Sequence, residues 1–143
     1  MTLKYLLNSI SVAAINQKCI NYSAAGSDLY QLNALRVDSY PVLFTTPNGD
    51  HIVEENTTTF SLSLFYFDRL TEDNINDIDI YSAAIEQLKN FVLVIEHLDG
   101  VLKVEDGYRI TNFTDTESFN DRICGAYAEI QVVTDNKWKC PIE

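Results

Sequence analysis

Two histidines, three cysteines and a surplus of carboxylates are the residues in this chain with chemistry to offer. His97-Leu98-Asp99 sets an imidazole two residues from a carboxylate, the pair that makes an oriented general base. Neighbours at a helix end seldom converge that way, and a histidine in a last helical turn is favoured by the helix dipole alone. A Cys–His nucleophile needs Cys19 or Cys124 beside His51 or His97 in space. Cys124 alternates with Ala126 and Ala128, a spacing that puts it in a strand core instead. Glu72, Asp73, Asp77 and Asp79 supply oxygens of the kind calcium binds, but a calcium loop needs ligands at positions 1, 3 and 5, Gly at 6 and Glu at 12. Counting from Asp73 puts Ile75 third and Ile78 sixth, and counting from Asp77 puts Tyr81 fifth and Ser82 sixth. Glycines 26, 49, 100, 107 and 125 write no phosphate-cradling loop and no nucleophile elbow. The expectation is therefore no catalytic residue, no cofactor, no metal site and no enzyme activity.

The carboxylates matter more as a field. The 143 residues carry 10 Lys+Arg and 21 Asp+Glu, a formal charge of -11. Such a chain repels nucleic-acid phosphates, whose non-specific binding depends on Lys and Arg releasing counterions, and it repels anionic membranes. From Asp50 to Glu86 nine acids stand against one base, Arg69. One reading is a solvated face that keeps the protein soluble. The sharper reading is a surface that faces a polyanion without adhering to it, with Asp50, Glu54, Glu55, Glu72, Asp73, Asp77 and Asp79 as candidate channel-facing or interface acids.

Compartment follows from what is missing. Cys19, Cys124 and Cys140 form no C-x-x-C pair, and an odd number argues against a disulfide framework. The apolar run Phe91 to Ile95 stops at Glu96, far short of the ~20 residues a bilayer demands. The first residues lack the continuous apolar stretch of a signal peptide. Folding in a reducing cytoplasm, away from membranes, is expected.

The elements that must position these groups read as one α+β domain over 1–143, with a short C-terminal tail at about 135–143. Leu3, Leu6, Leu7, Ile10, Ala13 and Ala14 fall on one helical face, and Val12, Ile15 and Cys19 make a second stripe, so this helix is expected to be covered on two sides and to end before Gly26. A short strand over Leu29–Val37 and a second over Tyr40–Thr46 come next. Pro47-Asn48-Gly49-Asp50 is a turn, and His51–Thr57 an exposed loop or hairpin arm. Thr58–Leu70 is the strongest strand: Phe60, Leu62, Leu64 and Tyr66 share one face, while the other changes from Ser61 and Ser63 to Phe65 and Phe67. An acidic connector, with Asp77 or Asp79 as N-cap, leads to a helix marked by Tyr81, Ala84, Ile85, Leu88, Phe91, Val92 and Ile95 and closed by Asp99-Gly100. A strand at Tyr108–Phe113, a polar loop over Thr114–Arg122 and a last strand at Ile123–Thr134 complete the order. Two amphipathic helices against a mostly antiparallel sheet of about four to six strands is the expected fold.

As an ordered set, these segments resemble the small head–tail connector, tail-completion, tail-terminator-like or tail-ring proteins of tailed bacteriophages, especially those of Bacteroides-type hosts. The resemblance is carried by the N-terminal helix running into Ile20-Asn21, by Tyr40-Pro41-Val42-Leu43-Phe44 and by the long strand Phe60–Asp68. The helix start Ile-Asp-Ile-Tyr-Ser-Ala-Ala-Ile-Glu-Gln-Leu adds to it, and its most specific piece is Phe119-Asn120-Asp121-Arg122-Ile123-Cys124-Gly125 entering the final strand. It implies a structural virion protein of the neck or tail, assembled in the bacterial host cytoplasm as a ring of six or twelve copies. Its partners would be copies of itself, neighbouring portal, neck or tail proteins, and genomic DNA passing without sequence-specific binding. Trp138 and Pro141 in the tail, and the arm from Pro47 to Thr57, are candidate inter-subunit elements. The alternative is a monomeric soluble α+β binding or regulatory module.

Overall fold

A computed structural model describes residues 1–27, 39–70, 76–115 and 122–138. The expected strand at Leu29–Val37 and most of the expected loop at Thr114–Arg122 lie outside the described residues, as do Glu72, Asp73 and Pro141 among the candidate site residues. The chain runs α1 (Leu3–Ile15), β1 (Tyr22–Ala25), β2 (Val42–Pro47), β3 (Ile52–Val53) and β4 (Thr57–Arg69). It continues through α2 (Asp77–Glu96), β5 (Val101–Val104), β6 (Ile110–Asp115) and β7 (Ile123–Asp135). The expected α+β single-domain class is what the structure shows, with seven strands among the described residues rather than four to six.

The spine of the sheet is the antiparallel ladder between β4 and β7, in register along both strands from Thr57↔Asp135 to Arg69↔Ile123. β2 and β3 pair with the outer side of β4, and β5 and β6 with the outer side of β7. β1 adds to β2 as the one parallel neighbour. Because side chains alternate across a strand, this register aligns Phe60, Leu62, Leu64 and Tyr66 with Val132, Ile130, Ala128 and Ala126 on one face. Both helices lie on that face.

α1 starts at Thr2, whose hydroxyl accepts the Tyr5 N–H at 3.1 Å, a capping bond worth roughly 1 kcal/mol. Its Leu6, Ile10 and Ala14, spaced by four, are fully buried. α2 buries Ile80, Ala84, Leu88, Phe91, Val92 and Ile95, and the small Ala126 and Ala128 beneath give it room to lie over β7. α2 begins at Asp77 itself, with Asn76 in the cap position and no side-chain capping bond. Asp77 and Asp79 thus sit in the first turn, where the N-terminal end of the helix dipole favours them, instead of serving as the cap.

α1 stops at Ile15, short of the expected approach to Gly26, because Tyr22–Ala25 leaves to pair with β2. The opposite sheet face carries a second apolar cluster, in which Val42, Phe44, Phe67 and Ile123 are at most 1% exposed. The change of that face from polar to aromatic along β4 is thereby realised.

Candidate functional site

The described part of the acidic segment does not form one surface. Asp50, Glu54 and Glu55 surround β3, which pairs with Thr58 and Thr59 at the start of β4. Asp77 and Asp79 open α2 at the other end of β4, where the Asn76 side-chain amide donates to the Arg69 carbonyl. At about 3.3 Å per residue, the 13-residue β4 holds the two groups roughly 40 Å apart.

The arm between β2 and β4 is firmly tied. The Asn48 N–H donates to the Ser61 carbonyl at 2.8 Å, and the Ser63 hydroxyl donates to Asn48 Oδ1 at 2.9 Å. The Ser61 N–H donates to His51 Nδ1 at 3.2 Å, and the His51 ring stands edge-on to Phe60 at 5.4 Å. At the return, the Glu54 N–H donates to the Thr57 carbonyl at 2.8 Å. Asn136 then clamps this turn: its side-chain amide donates to the Glu54 carbonyl at 2.9 Å, and its N–H donates to the Asn56 carbonyl at 3.0 Å. Sequence reasoning missed Asn136, because nothing in a residue beyond a final strand announces a partner 82 positions earlier. So tied, the arm presents Ile52 and Val53 to solvent at 51% and 74% exposure, flanked by the exposed Asp50, Glu54 and Glu55.

A second open surface lies on α1. The stripe expected to be covered is bare, with Val12 and Ile15 each 63% exposed. Beside it runs a groove of about 560 Å³, lined by Tyr5, Asn8, Val12 and Ala13 of α1 and by Leu98 and Asp99 beyond α2. Trp138 packs against Tyr5 near this groove, with ring centroids 4.8 Å apart. That candidate arm residue is therefore held by its own chain.

Among the described residues, the groups that could do chemistry are engaged separately. His97 Nδ1 lies 2.8 Å from the Leu93 carbonyl, one turn back in α2, so its ring closes a helix end and does not pair with Asp99. His51 is engaged by the Ser61 backbone. Cys124, opposite Asp68 in the β4–β7 register, is buried with Leu70 and Ile80, so about 25 Å of strand separates it from the His51 contact at Ser61. Burial, then the charges of Asp77 and Asp68, push its thiol up to about 11. Among the described residues no three His, Cys, Asp or Glu side chains are grouped to hold a metal ion, and no helix is long and apolar enough to cross a membrane. A polar cavity of about 280 Å³ on the sheet face away from the helices brings Glu105, Asp106 and Glu129 near Asn48, Ser61 and Gln131.

A scan against models of known protein families finds no match for this chain, and a search of curated proteins finds no similar sequence. The molecule offers a partner two open surfaces: a tied acidic hairpin arm whose edge strand exposes Ile52 and Val53, and a largely apolar groove along α1.

Proposed function

We propose that the chain is a structural subunit of a tailed-bacteriophage neck or tail, assembling into a ring that joins portal to tail and lets genomic DNA pass. The observation that supports this best is the pairing on one chain of two unlike open surfaces, the edge strand β3 with Ile52 and Val53 exposed and the bare stripe of α1 at Val12 and Ile15. Unlike surfaces that recognise one another make heterologous contacts, which close into rings when the rotation allows. The order of elements, with one long strand between two amphipathic helices, agrees with the resemblance to tail-completion and connector proteins. The charge of -11 suits a protein beside DNA that must not hold it. Since the described acids fall at two ends of β4, a channel lined by both groups would need them at its two mouths.

Native mass spectrometry and negative-stain electron microscopy of the purified chain over a wide concentration range test the reading. Closed rings of six or twelve copies, formed alone or on adding a portal or tail partner, are expected. A chain that stays monomeric in all of these conditions overturns it and favours the binding-module alternative.

A further inference from the structure

We propose that residues 139–143 dock along the α1 groove of their own chain, as a strap that covers Val12 and withholds this face of α1 from other partners until it is displaced. The inference goes beyond the ring reading and rests on it only for what the uncovered face then meets.

The fold delivers the segment to the groove. Trp138 packs on Tyr5, which lines the groove, with ring centroids 4.8 Å apart. Its N–H donates to the Asp135 carbonyl at 3.2 Å, so the turn after β7 and the ring contact together fix where residue 139 starts. The groove follows one face of α1 through Tyr5, Asn8, Val12 and Asn16, spaced by three and four. At the helical rise of about 1.5 Å per residue, that face runs roughly 16 Å. Residues 139–143, extended at about 3.3 Å each, span about the same distance.

Composition agrees with the reach. Tyr5, Val12 and Leu98 give the groove apolar surface, Val12 is 63% exposed, and the segment brings Pro141 and Ile142. An extended backbone also needs hydrogen-bond partners, and the side-chain amides of Asn8 and Asn16 both donate and accept. Asp99 is the one charged residue lining the groove. It adjoins Gly100, where an added Cβ would come within 2.9 Å of the Trp138 indole. Lys139, the one base of the segment, therefore starts at the Asp99 end. Tethering selects this occupant over a second copy: a segment fastened at the groove's mouth meets it at an effective concentration on the order of millimolar, which a dilute separate chain does not match.

Cross-linking in the intact chain, at a dilution where it is monomeric, tests the placement. In a Cys19→Ser, Cys140→Ser background the remaining natural thiol, Cys124, is buried. There the pair Val12→Cys and Ile142→Cys should close a disulfide within one chain in air, since closure needs Cα atoms about 4.4–6.8 Å apart. The pair Val53→Cys and Ile142→Cys, at an arm position 74% exposed, should close at least tenfold more slowly. Lys139→Glu should slow the first closure several fold, and Asp99→Lys in the same chain should restore it. First-pair closure no faster than that of the Val53→Cys pair would overturn the strap and leave the ring reading in place. Cross-links that join two chains would overturn docking within one chain and make a second copy the occupant. A closure rate that ignores both charge changes would overturn the contact of Lys139 with Asp99. Ring formation enters none of these readouts, so its failure in native mass spectrometry would leave the strap standing.

Discussion

The Trp138 indole rests on the Tyr5 ring at 4.8 Å between centroids, with the planes inclined by 46°, so the end of the described chain is fastened to the first turn of α1. Gly100 makes this possible. It sits at φ +85°, and a Cβ there would come within 2.9 Å of the indole and 2.4 Å of Met1 Cε. Trp138→Ala should lower stability by about 2 kcal/mol, from the lost ring pair and the apolar area it covers. Urea denaturation followed by circular dichroism measures this. Trp138 is the only tryptophan, so wild-type emission should move to the red when the contact opens, before or with global unfolding. An emission maximum already typical of free indole in the native protein would show the contact to be absent.

Gly125 faces Phe67 across the central ladder, and the two backbones approach too closely for any side chain. An added Cβ would fall 1.9 Å from the Tyr66 carbonyl oxygen and 2.6 Å from Phe67 Cα. Neither atom belongs to a side chain that can swing away. Gly125→Ala should therefore cost at least ~3 kcal/mol, the upper range for overpacking. Gly49→Ala, with nothing within 4 Å of the new methyl, should stay within about 0.5 kcal/mol of wild type. Equal midpoints for the two variants in thermal unfolding would contradict the close approach.

The Tyr66 hydroxyl donates to the Cys19 carbonyl at 3.1 Å from a side chain only 3% exposed. Burial, followed by the nearby charges of Asp68 and Cys19, raises its pKa from 10.0 to about 12. Because the folded value lies above the unfolded one, the stabilisation is complete below pH 10 and is lost as pH climbs toward 12. The loss should be on the order of 2 kcal/mol. Tyr66→Phe should cost about 1 kcal/mol at neutral pH, from the lost hydrogen bond, and should flatten this alkaline limb. A wild-type limb that Tyr66→Phe leaves unchanged would assign it to other groups.

What the sequence disclosed, and what it hid, divides along physical lines. β4 and α2 were legible because long periodic stretches repeat their pattern many times, and the switch from Ser61 and Ser63 to Phe65 and Phe67 foretold a second cluster on the far face. β1, β3 and β5 were not, since strands of two to four residues owe their existence to a neighbour's unpaired backbone and not to their own composition. The small, polar run from Ser23 reads as the place where a helix ends before Gly26, yet Ser23, Ala24 and Ala25 pair with β2. The seven candidate acids were visible as a count, but the length of β4 decides that Glu54 and Asp77 cannot share a surface. The second stripe of α1 was visible too. Its exposure was not, because periodicity says which side chains align and nothing about what lies opposite.

Reactivity of the cysteines separates the two described thiols. Cys19 is exposed, whereas Cys124 is fully buried among Leu70, Ile80 and Tyr81. The thiolate is the attacking species, and the Cys124 thiol, pushed up to about 11 mainly by burial, is almost entirely protonated at neutral pH. Both access and ionisation therefore protect it. In a Cys140→Ser background, a disulfide reagent should find one fast thiol in the native protein and a second only on adding denaturant. Cys19→Ser in that background should remove the fast phase and leave the slow one, whose rate then follows the opening of the β4–β7 ladder at its Arg69–Ile123 end. Two fast thiols in the native Cys140→Ser protein would mean that Leu70 and Ile80 do not close over Cys124, and that this end of the sheet opens far more readily than its packing implies.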